Sequence, residues 1–307
     1  MARHSQISTA AVKTVNRTKK QKKWFFLFIS PWLIGFLCLT VGPMIYSFCM
    51  SFTDWDMLTS MNFVGLQNYK DLFADTRFML SVRNTFIYTL IHVPLNLLLS
   101  LGMAYLLSFK LKGMRVYRTL YYLPAVVPAV ASCVLFKNIL ADSGILNKGL
   151  ALFGIDGPAW LLSKRWVLGG FVVLAVWTVG STMILLLSAI NSVGEEMYES
   201  ALLDGASRFY MFRKITVPQI SPIIFFNLIT GIITSLQTFT QVYMLTDGGP
   251  DYASSMMVPY LYKEAFSYYR MGYASSMAWV LFVIVLIFSA IVMKSSSMWV
   301  FYEEEVK

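Results

Sequence analysis

Six separate stretches of about 20 or more mostly apolar residues constrain the fold of this chain more than any other feature. A helix of that length crosses the hydrocarbon core of a bilayer. A transmembrane barrel is excluded, because its strands are about ten residues long and alternate apolar with polar side chains. Only 13% of the residues are charged, far below the roughly 25% of a typical soluble domain. The sequence therefore predicts an all-α integral membrane protein with about six transmembrane helices.

The predicted spans form one transmembrane domain, residues 24–294. We place its six helices at residues 24–48, 84–108, 117–137, 166–190, 221–245 and 273–293. The tail at residues 1–23 contains seven Lys and Arg, and Lys112 and Arg115 follow the second span. Because Lys and Arg collect on the cytoplasmic side of a membrane, we expect both tails, including residues 295–307, to be cytoplasmic. The basic excess indicates topology and contact with anionic lipid, not nucleic-acid binding.

Patterns typical of catalysis or metal binding are not evident in the sequence. Three cysteines lie in or beside spans without metal-ligand spacing, and both histidines are isolated. The carboxylates are scattered over loops, and no G-x-x-x-x-G-K-[ST] phosphate loop occurs. We therefore expect this chain to have no enzyme activity, metal or cofactor of its own.

Residues 195–222 form a charged, amphipathic insert between the fourth and fifth spans. Apolar side chains recur in it at intervals of three and four, which places them on one helix face: Tyr198, Leu202, Ala206, Phe209 and Phe212. Gly205 weakens a continuous helix and permits a bend between two short ones. A helix that lies on the membrane surface usually carries Lys and Arg, whereas this one begins with Glu195 and Glu196. The pattern favours a contact helix for another protein over a surface-lying helix.

The insert also resembles a known motif. Its ESALLDGASRFYMFRKITVPQISP is similar to the EAA loop in permease subunits of ATP-binding-cassette (ABC) importers. The matching positions are Glu199, Ala201, Asp204, Gly205, Ala206, Phe212, Ile215 and Pro218. FVGLQNYKDLF, YYLPAVVPAV and TDGGPDYASSMMVPYLYKEAF resemble the carbohydrate-uptake branch, specifically the maltose-permease-like first subunit of a two-permease pair. The chain thus resembles a permease of a binding-protein-dependent carbohydrate importer.

The resemblance implies a type I importer-like permease fold in a bacterial or archaeal plasma membrane. The EAA loop would form a bent coupling helix in a groove of the ATPase, with Glu199 and Gly205 as signature positions and Phe209 on the apolar face. The implied partners are a second, non-identical permease, two ATPase subunits that bind ATP and Mg, and an extracytoplasmic solute-binding protein. For Glu199 an alternative stays open, because a Glu also stabilises its own helix N-terminus.

Polar side chains recur every three or four residues in the fifth predicted span: Asn227, Thr230, Thr234, Gln237 (or Thr238) and Gln241. Facing lipid would be costly, so we expect this stripe to face the bundle interior or a water-filled cavity. Amides and hydroxyls both donate and accept hydrogen bonds, which suits sugar hydroxyls. The alternative is that they join helices by hydrogen bonds. Trp177 in the fourth span is a candidate for stacking on a sugar ring, with ordinary packing as its alternative.

Two other classes of function compete with an importer subunit. A secondary transporter or channel for a small polar solute would usually carry ionisable groups within its spans and an internal repeat. Neither is evident, since formal charges fall only at the ends of the predicted spans. A membrane-embedded enzyme would need clustered carboxylates, or His and Cys in metal spacing. The sequence therefore predicts half of a translocation pathway that a separate ATPase drives.

Overall fold

The computed structural model of the chain describes residues 17–109 and 112–301. Positions 1–16 and 302–307 of the two predicted tails lie outside these described residues. The chain divides into two units, Met1–Cys49 and Met50–Lys307. Residues 195–222 and the polar stripe both belong to the second unit.

Helices provide the regular structure of the described residues, as the predicted all-α fold class requires. In chain order they are α1 (Arg17–Phe36), α2 (Gly42–Met50), α3 (Gln67–Ala74), α4 (Thr76–Ser108), α5 (Met114–Val126), α6 (Ala129–Ile139), α7 (Ile145–Ala151), α8 (Val167–Trp177), α9 (Gly180–Asn191), α10 (Glu195–Leu203), α11 (Arg208–Met211), α12 (Val217–Gln219), α13 (Ser221–Leu236), α14 (Thr240–Leu245), α15 (Met257–Phe266) and α16 (Met271–Ser296). Short π-helical turns at Leu37–Val41 and Phe212–Thr216 connect α1 to α2 and α11 to α12.

The described residues contain six segments long and apolar enough to cross a membrane, when each bent helix pair counts as one span. Three are single helices, Trp24–Met50, Thr76–Ser108 and Met271–Ser296. The other three are α5 with α6, bent by 99°, α8 with α9, bent by 47°, and Arg208–Gln219 with α13, bent by 67°. Bends of this size place successive parts of one span against different neighbours.

The second and third spans differ from the predicted ones for local reasons. The second span begins at Thr76 instead of residue 84, because the Asp75 carboxylate accepts a 2.8 Å hydrogen bond from the Arg77 N–H and caps α4. The third span, predicted as one helix, breaks before Pro128, since proline lacks the N–H that would continue a helix.

Spans two to four pack closely against each other. A Cβ at Gly180 would overlap the Tyr121 carbonyl oxygen, so glycine lets α9 approach the backbone of α5. The Ser100 hydroxyl of α4 donates a 3.2 Å hydrogen bond to the Val179 carbonyl. A buried cluster fills the adjoining ends of α4 and α9: Ala104, Leu107, Met183, Leu186, Leu187, Ile190 and Ile220. Because Ile220 belongs to this cluster, the cluster packs the end of residues 195–222 against α4 and α9.

The two ends of the spans are distinguished by the segments they carry. We call the end with residues 195–222 the EAA end, where the ring centroids of Tyr105 in α4 and Phe212 lie 4.3 Å apart. We call the opposite end, which carries α3, α14 and α15, the far end. There the Asn84 side-chain amide donates 3.0 Å hydrogen bonds to the carbonyls of Tyr252 and Ser255. The far-end loops are therefore bonded directly to α4.

Candidate functional site

The EAA segment, residues 195–222, folds as two short helices joined at Gly205. Gly205 has a φ of +76°, a left-handed conformation that glycine adopts without the strain of a Cβ. Its N–H bonds to the Leu202 carbonyl at 3.0 Å, and the Ala206 N–H bonds to the Ala201 carbonyl at 2.9 Å. These two bonds satisfy the last carbonyls of α10 in the Schellman arrangement. The structure thus has a bend at the position where the sequence predicted one.

The bend divides the single apolar face predicted for the EAA segment, because the left-handed turn at Gly205 changes the direction of the chain. Tyr198 and Phe212 turn toward the protein. The Tyr198 hydroxyl lies 2.9 Å from Thr216 Oγ1, and Phe212 packs on Tyr105. The side chains nearest the bend are exposed instead, and we call them the apolar tip: Leu202 (58%), Leu203 (90%), Phe209 (72%) and Tyr210 (56%).

The residues that match the EAA motif lie on both sides of the bend. Glu199 and Asp204 are exposed, and Asp204 is the last residue before the glycine. Four others are partly buried: Ala201, Ala206, Ile215 and Pro218. Glu199 is the fifth residue of α10, whereas Glu195 and Glu196 occupy the first turn. The alternative in which Glu199 stabilises its own helix N-terminus is therefore contradicted.

The second half of the EAA segment is anchored to the spans. Met211, Thr216 and Ile220 are buried, and Ile220 belongs to the cluster between α4 and α9. The Ser221 hydroxyl accepts a 2.8 Å hydrogen bond from the Phe301 N–H, which ties the start of α13 to the chain beyond α16. The apolar tip is therefore connected to the helix bundle through packed side chains.

Three predicted pathway residues, Asn227, Thr230 and Thr234, line a cavity of about 210 Å³ between α4, α9 and α13. Other polar groups of the lining come from the facing helices and the residue after α8: His92, Asn96, Thr178 and Thr182. The described lining contains no carboxylate, Lys or Arg. The placed amides and hydroxyls suit the hydroxyls of a neutral solute, although the cavity volume is below the roughly 300–1,000 Å³ usual for a complete small-molecule site.

The side-chain hydrogen bonds of these three residues stay within α13. Asn227 donates to the Ile223 carbonyl at 2.7 Å, Thr230 to the Phe226 carbonyl at 2.7 Å, and Thr234 to the Thr230 carbonyl at 2.9 Å. Among the described residues, none of the three is bonded to a side chain of another helix. The helix-joining alternative therefore has no support at these positions.

Gln237 and Gln241 lie apart from this cavity because the fifth span breaks. It was expected to continue to residue 245, but α13 ends at Leu236 and α14 begins four residues later. Gln237 is exposed, whereas Gln241 Oε1 accepts a 3.1 Å hydrogen bond from the Tyr88 hydroxyl of α4. Gln241 thus joins two helices, which is the alternative role left open for the stripe.

Trp177 lies in a different cavity. With Tyr117 and Tyr121 it lines a mostly apolar space of about 650 Å³, and its ring centroid is 5.7 Å from that of Phe136. Span four bends by 47° directly after Trp177, which separates this side chain from the polar residues that follow. The structure does not bring Trp177 to the polar stripe, and its contact with Phe136 is ordinary aromatic packing.

A buried polar network holds the far end together. The Asp75 carboxylate accepts hydrogen bonds from the hydroxyls of Tyr260 at 2.6 Å and Tyr273 at 2.9 Å. Burial alone raises the pKa of Asp75, but these bonds and two backbone N–H groups outweigh it and hold the pKa below its usual value. Nearby, the buried Glu264 pairs with Arg270 at 3.0 Å. No local pattern in the sequence predicts a site at these residues.

Metal ligation finds no support in the described residues, where no group of three or more His, Cys, Asp and Glu side chains is placed to hold an ion.

Comparisons with known proteins identify the family. Residues 96–296 match the family model described as the inner membrane component of binding-protein-dependent transport systems. The chain belongs to this family. The permease is 40% identical over 300 residues to the probable ABC transporter permease protein YesP of Bacillus subtilis, covering 96% of this chain and 97% of the relative. It is 31% identical over 281 residues to the trehalose/maltose transport system permease protein MalF of Thermococcus litoralis, covering 90% and 94%.

A solved structure shares the fold. It is the crystal structure of a bacterial alginate ABC transporter in complex with an alginate pentasaccharide-bound periplasmic protein. The permease matches one of its chains with a TM-score of 0.77 and 24% identity, over 91% of the permease and 96% of that chain. The predicted ABC importer permease fold is confirmed.

Proposed function

We propose that the permease forms half of the translocation pathway of an ATP-driven carbohydrate importer and that its EAA segment contacts a separate ATPase. The observation that carries this proposal is the apolar tip, whose four large side chains are exposed on both sides of the bend at Gly205. Exposed apolar patches mark protein or membrane contacts, and the acidic Glu195 and Glu196 at the start of the segment disfavour contact with anionic lipid. Membership of a binding-protein-dependent transport family gives the kind of partner.

The geometry of the EAA segment supports a coupling role. Import against a gradient needs an energy source, and the sequence has no phosphate loop of its own. We infer that the apolar tip fills a groove on the ATPase and that Glu199 adds a polar contact. Since the second half of the segment is packed on α4 and α9, motion of the ATPase would tilt the spans as rigid bodies.

The polar cavity supports a carbohydrate as the transported solute. Its described lining offers hydroxyls and amides from three spans and contains no Asp, Glu, Lys or Arg side chain. Two of the similar proteins are named for trehalose and maltose and for alginate, all carbohydrates. We therefore assign Asn227, Thr230 and Thr234 to the pathway and leave Trp177 outside it.

The assembly we propose contains a second, non-identical permease, two ATPase subunits that bind ATP and Mg, and an extracytoplasmic solute-binding protein. The alginate transporter similar to the permease is described in complex with such a periplasmic protein. The Lys and Arg distribution supports a cytoplasmic position for both tails and for the EAA end, and we infer a bacterial or archaeal plasma membrane. The far end would then face the binding protein.

Purification of the tagged native protein in a mild detergent, with identification of every accompanying chain by mass spectrometry, tests this proposal. We expect a phosphate-loop ATPase and a second permease in stoichiometric amounts. The ligand extracted from an accompanying binding protein would identify the sugar. A homo-oligomer without any ATPase would contradict the importer function and favour a secondary transporter or channel.

A further inference from the structure

A third cavity, of about 450 Å³, lies between the EAA segment and the ends of α4 and α9, and no residue of the apolar tip or the polar stripe lines it. Its walls come from the ends of α4 and α9 and from both halves of the EAA segment. Volumes of roughly 300–1,000 Å³ are usual for sites that bind small molecules. The cavity therefore has room for one ligand of metabolite size that contacts α10 and α11 at the same time.

Among the described residues, aromatic rings and the Arg208 guanidinium line this cavity together with the Glu195 carboxylate. Tyr105, Phe109 and Phe212 contribute ring surfaces. The guanidinium carbon of Arg208 lies 5.8 Å from the centroid of the Phe109 ring. Among the described residues, Arg208 has no carboxylate partner. Asn191 adds an amide to the same wall. The cation is thus available to an anionic ligand that also presents a ring-sized surface.

We propose that this cavity binds a sugar monophosphate and that the bound ligand slows transport. A guanidinium binds phosphate oxygens bidentately, and Arg208 is placed to do so. The aromatic rings can pack against the C–H faces of a sugar, while Asn191 bonds to its hydroxyls. Glu195 also lines the cavity, and it has an interaction of its own. The single guanidinium among the described lining residues suits one phosphate group.

The position of the cavity explains how a ligand would act on transport. The Tyr198 hydroxyl of α10 lies 2.9 Å from Thr216 Oγ1, and both residues line the cavity. A ligand that contacts both halves of the EAA segment and the ends of α4 and α9 binds one arrangement of these helices better than another. It therefore shifts the equilibrium between the two arrangements. This inhibition rests on the proposed coupling function of the EAA segment. Phosphoryl transfer to the imported sugar would supply the ligand.

The test uses the complete importer in phosphatidylcholine nanodiscs with its binding protein and sugar. Glucose 6-phosphate is the probe, with glucose and inorganic phosphate as matched controls. We expect glucose 6-phosphate to lower ATP hydrolysis at least about fivefold, and glucose to have no effect. Arg208→Gln should abolish the inhibition, measured as the ratio of hydrolysis with and without ligand. Arg213→Gln, at an exposed position outside the cavity lining, should retain it.

Saturation-transfer NMR on the same samples measures ligand contact independently of hydrolysis. Signals from glucose 6-phosphate that disappear in Arg208→Gln and persist in Arg213→Gln would support the site. Inhibition by added phosphatidic acid without any sugar phosphate would locate the phosphate source in the lipid and overturn the sugar ligand. An importer that hydrolyses ATP but ignores glucose 6-phosphate would overturn the site alone, whereas a chain that retains no ATPase would overturn the proposed function.

Discussion

The connecting segments at the two ends of the spans differ in how far contacts within this chain cover their side chains. At the far end, the partly buried Asp75 accepts hydrogen bonds from Tyr260 and Tyr273, which are only 6% and 4% exposed. At the EAA end, Leu203 and Phe209 are 90% and 72% exposed. Around Asp75 the far end therefore takes its stability from contacts within this chain, whereas Leu152 and Phe153 in another of its loops are exposed. The EAA end leaves apolar surface that a partner has to cover.

This difference matches the proposed functions of the two ends, since the EAA end would move with an ATPase and the far end would face a binding protein. A network of several buried hydrogen bonds fixes one arrangement, because each unsatisfied group would cost free energy. The apolar tip has few contacts within the chain, yet it continues into the buried residues Met211 and Ile220. A partner that binds the tip can thus move α9 and α13, while the far end keeps its own geometry.

Replacing Asp75 with Ala should produce the largest loss of stability. Two tyrosine hydroxyls would lose their acceptor, and because both hydrogen bonds are partly buried we expect the free energy of unfolding in detergent to fall by about 1–3 kcal/mol in total, about 0.5–1.5 kcal/mol for each bond. Asp71→Ala is the control, since Asp71 is exposed and its partner Gln67 is also at the surface. Equal unfolding free energies of the two variants would contradict the claim that the hydrogen bonds to Asp75 stabilise the far end.

The same network predicts a pH dependence with a definite sign. The folded pKa of Asp75 is depressed, so its contribution to stability is present above its unfolded pKa of about 3.9 and is lost as the pH falls through the folded value. The difference in unfolding free energy between the wild type and Asp75→Asn should therefore stay constant from about pH 5 to 8 and shrink below about pH 4. A difference that grew on acidification would contradict the assigned ionisation.

Replacing both Leu203 and Phe209 with Ser should affect binding and leave stability nearly unchanged. We expect the unfolding free energy to change by less than about 0.5 kcal/mol, because both side chains are exposed. Affinity for the ATPase should fall at least about 30-fold, as for a hot spot of about 2 kcal/mol. Leu152→Ser with Phe153→Ser is the matched control, since this pair is 86% and 82% exposed outside the EAA segment. Equal ATPase retention in both double variants would contradict the contact.

Replacing Gly205 with Ala tests the bend by itself. The added methyl group would meet no atom within 4 Å, so only the backbone conformation is affected. A left-handed conformation costs an alanine about 1–2 kcal/mol, and we expect uptake to fall about 5- to 30-fold. Asn, which adopts this conformation more readily, should recover part of the uptake. Gly102→Ala, also in open space but in helical backbone, should transport normally.

The smallest effect is expected from two glutamines beside the break in span five. Gln241→Leu should lower the unfolding free energy by about 0.5–1.5 kcal/mol through loss of the bond from Tyr88. Gln237→Leu, at an exposed position, should change it by less than about 0.5 kcal/mol. Neither side chain lines the polar cavity, so the double variant should assemble and keep uptake close to that of the wild type, as checked by co-purification and uptake. A large loss of uptake in a complex that still assembles would instead return both residues to the pathway.

Local patterns in the sequence predict the spans and the bend, because hydropathy and glycine act within a few residues. The positions of Leu203 and Tyr210 on the exposed tip could not be predicted, since periodicity assumes one continuous helix and the left-handed turn interrupts it. The far-end network joins Asp75 to Tyr260 and Tyr273 across 185 and 198 positions, with no signal at short range. The separation of Trp177 from the polar stripe depends on the bend in span four.

Photo-crosslinking from single positions in the native membrane tests the central claim most directly. A photoreactive residue in place of Leu203 should crosslink to a phosphate-loop ATPase identified by mass spectrometry. The same residue in place of Phe153, at the far end, should give no ATPase adduct. ATPase adducts from position 203 alone would place the coupling contact on the apolar tip. Lipid adducts alone from position 203, or ATPase adducts from both positions, would contradict it.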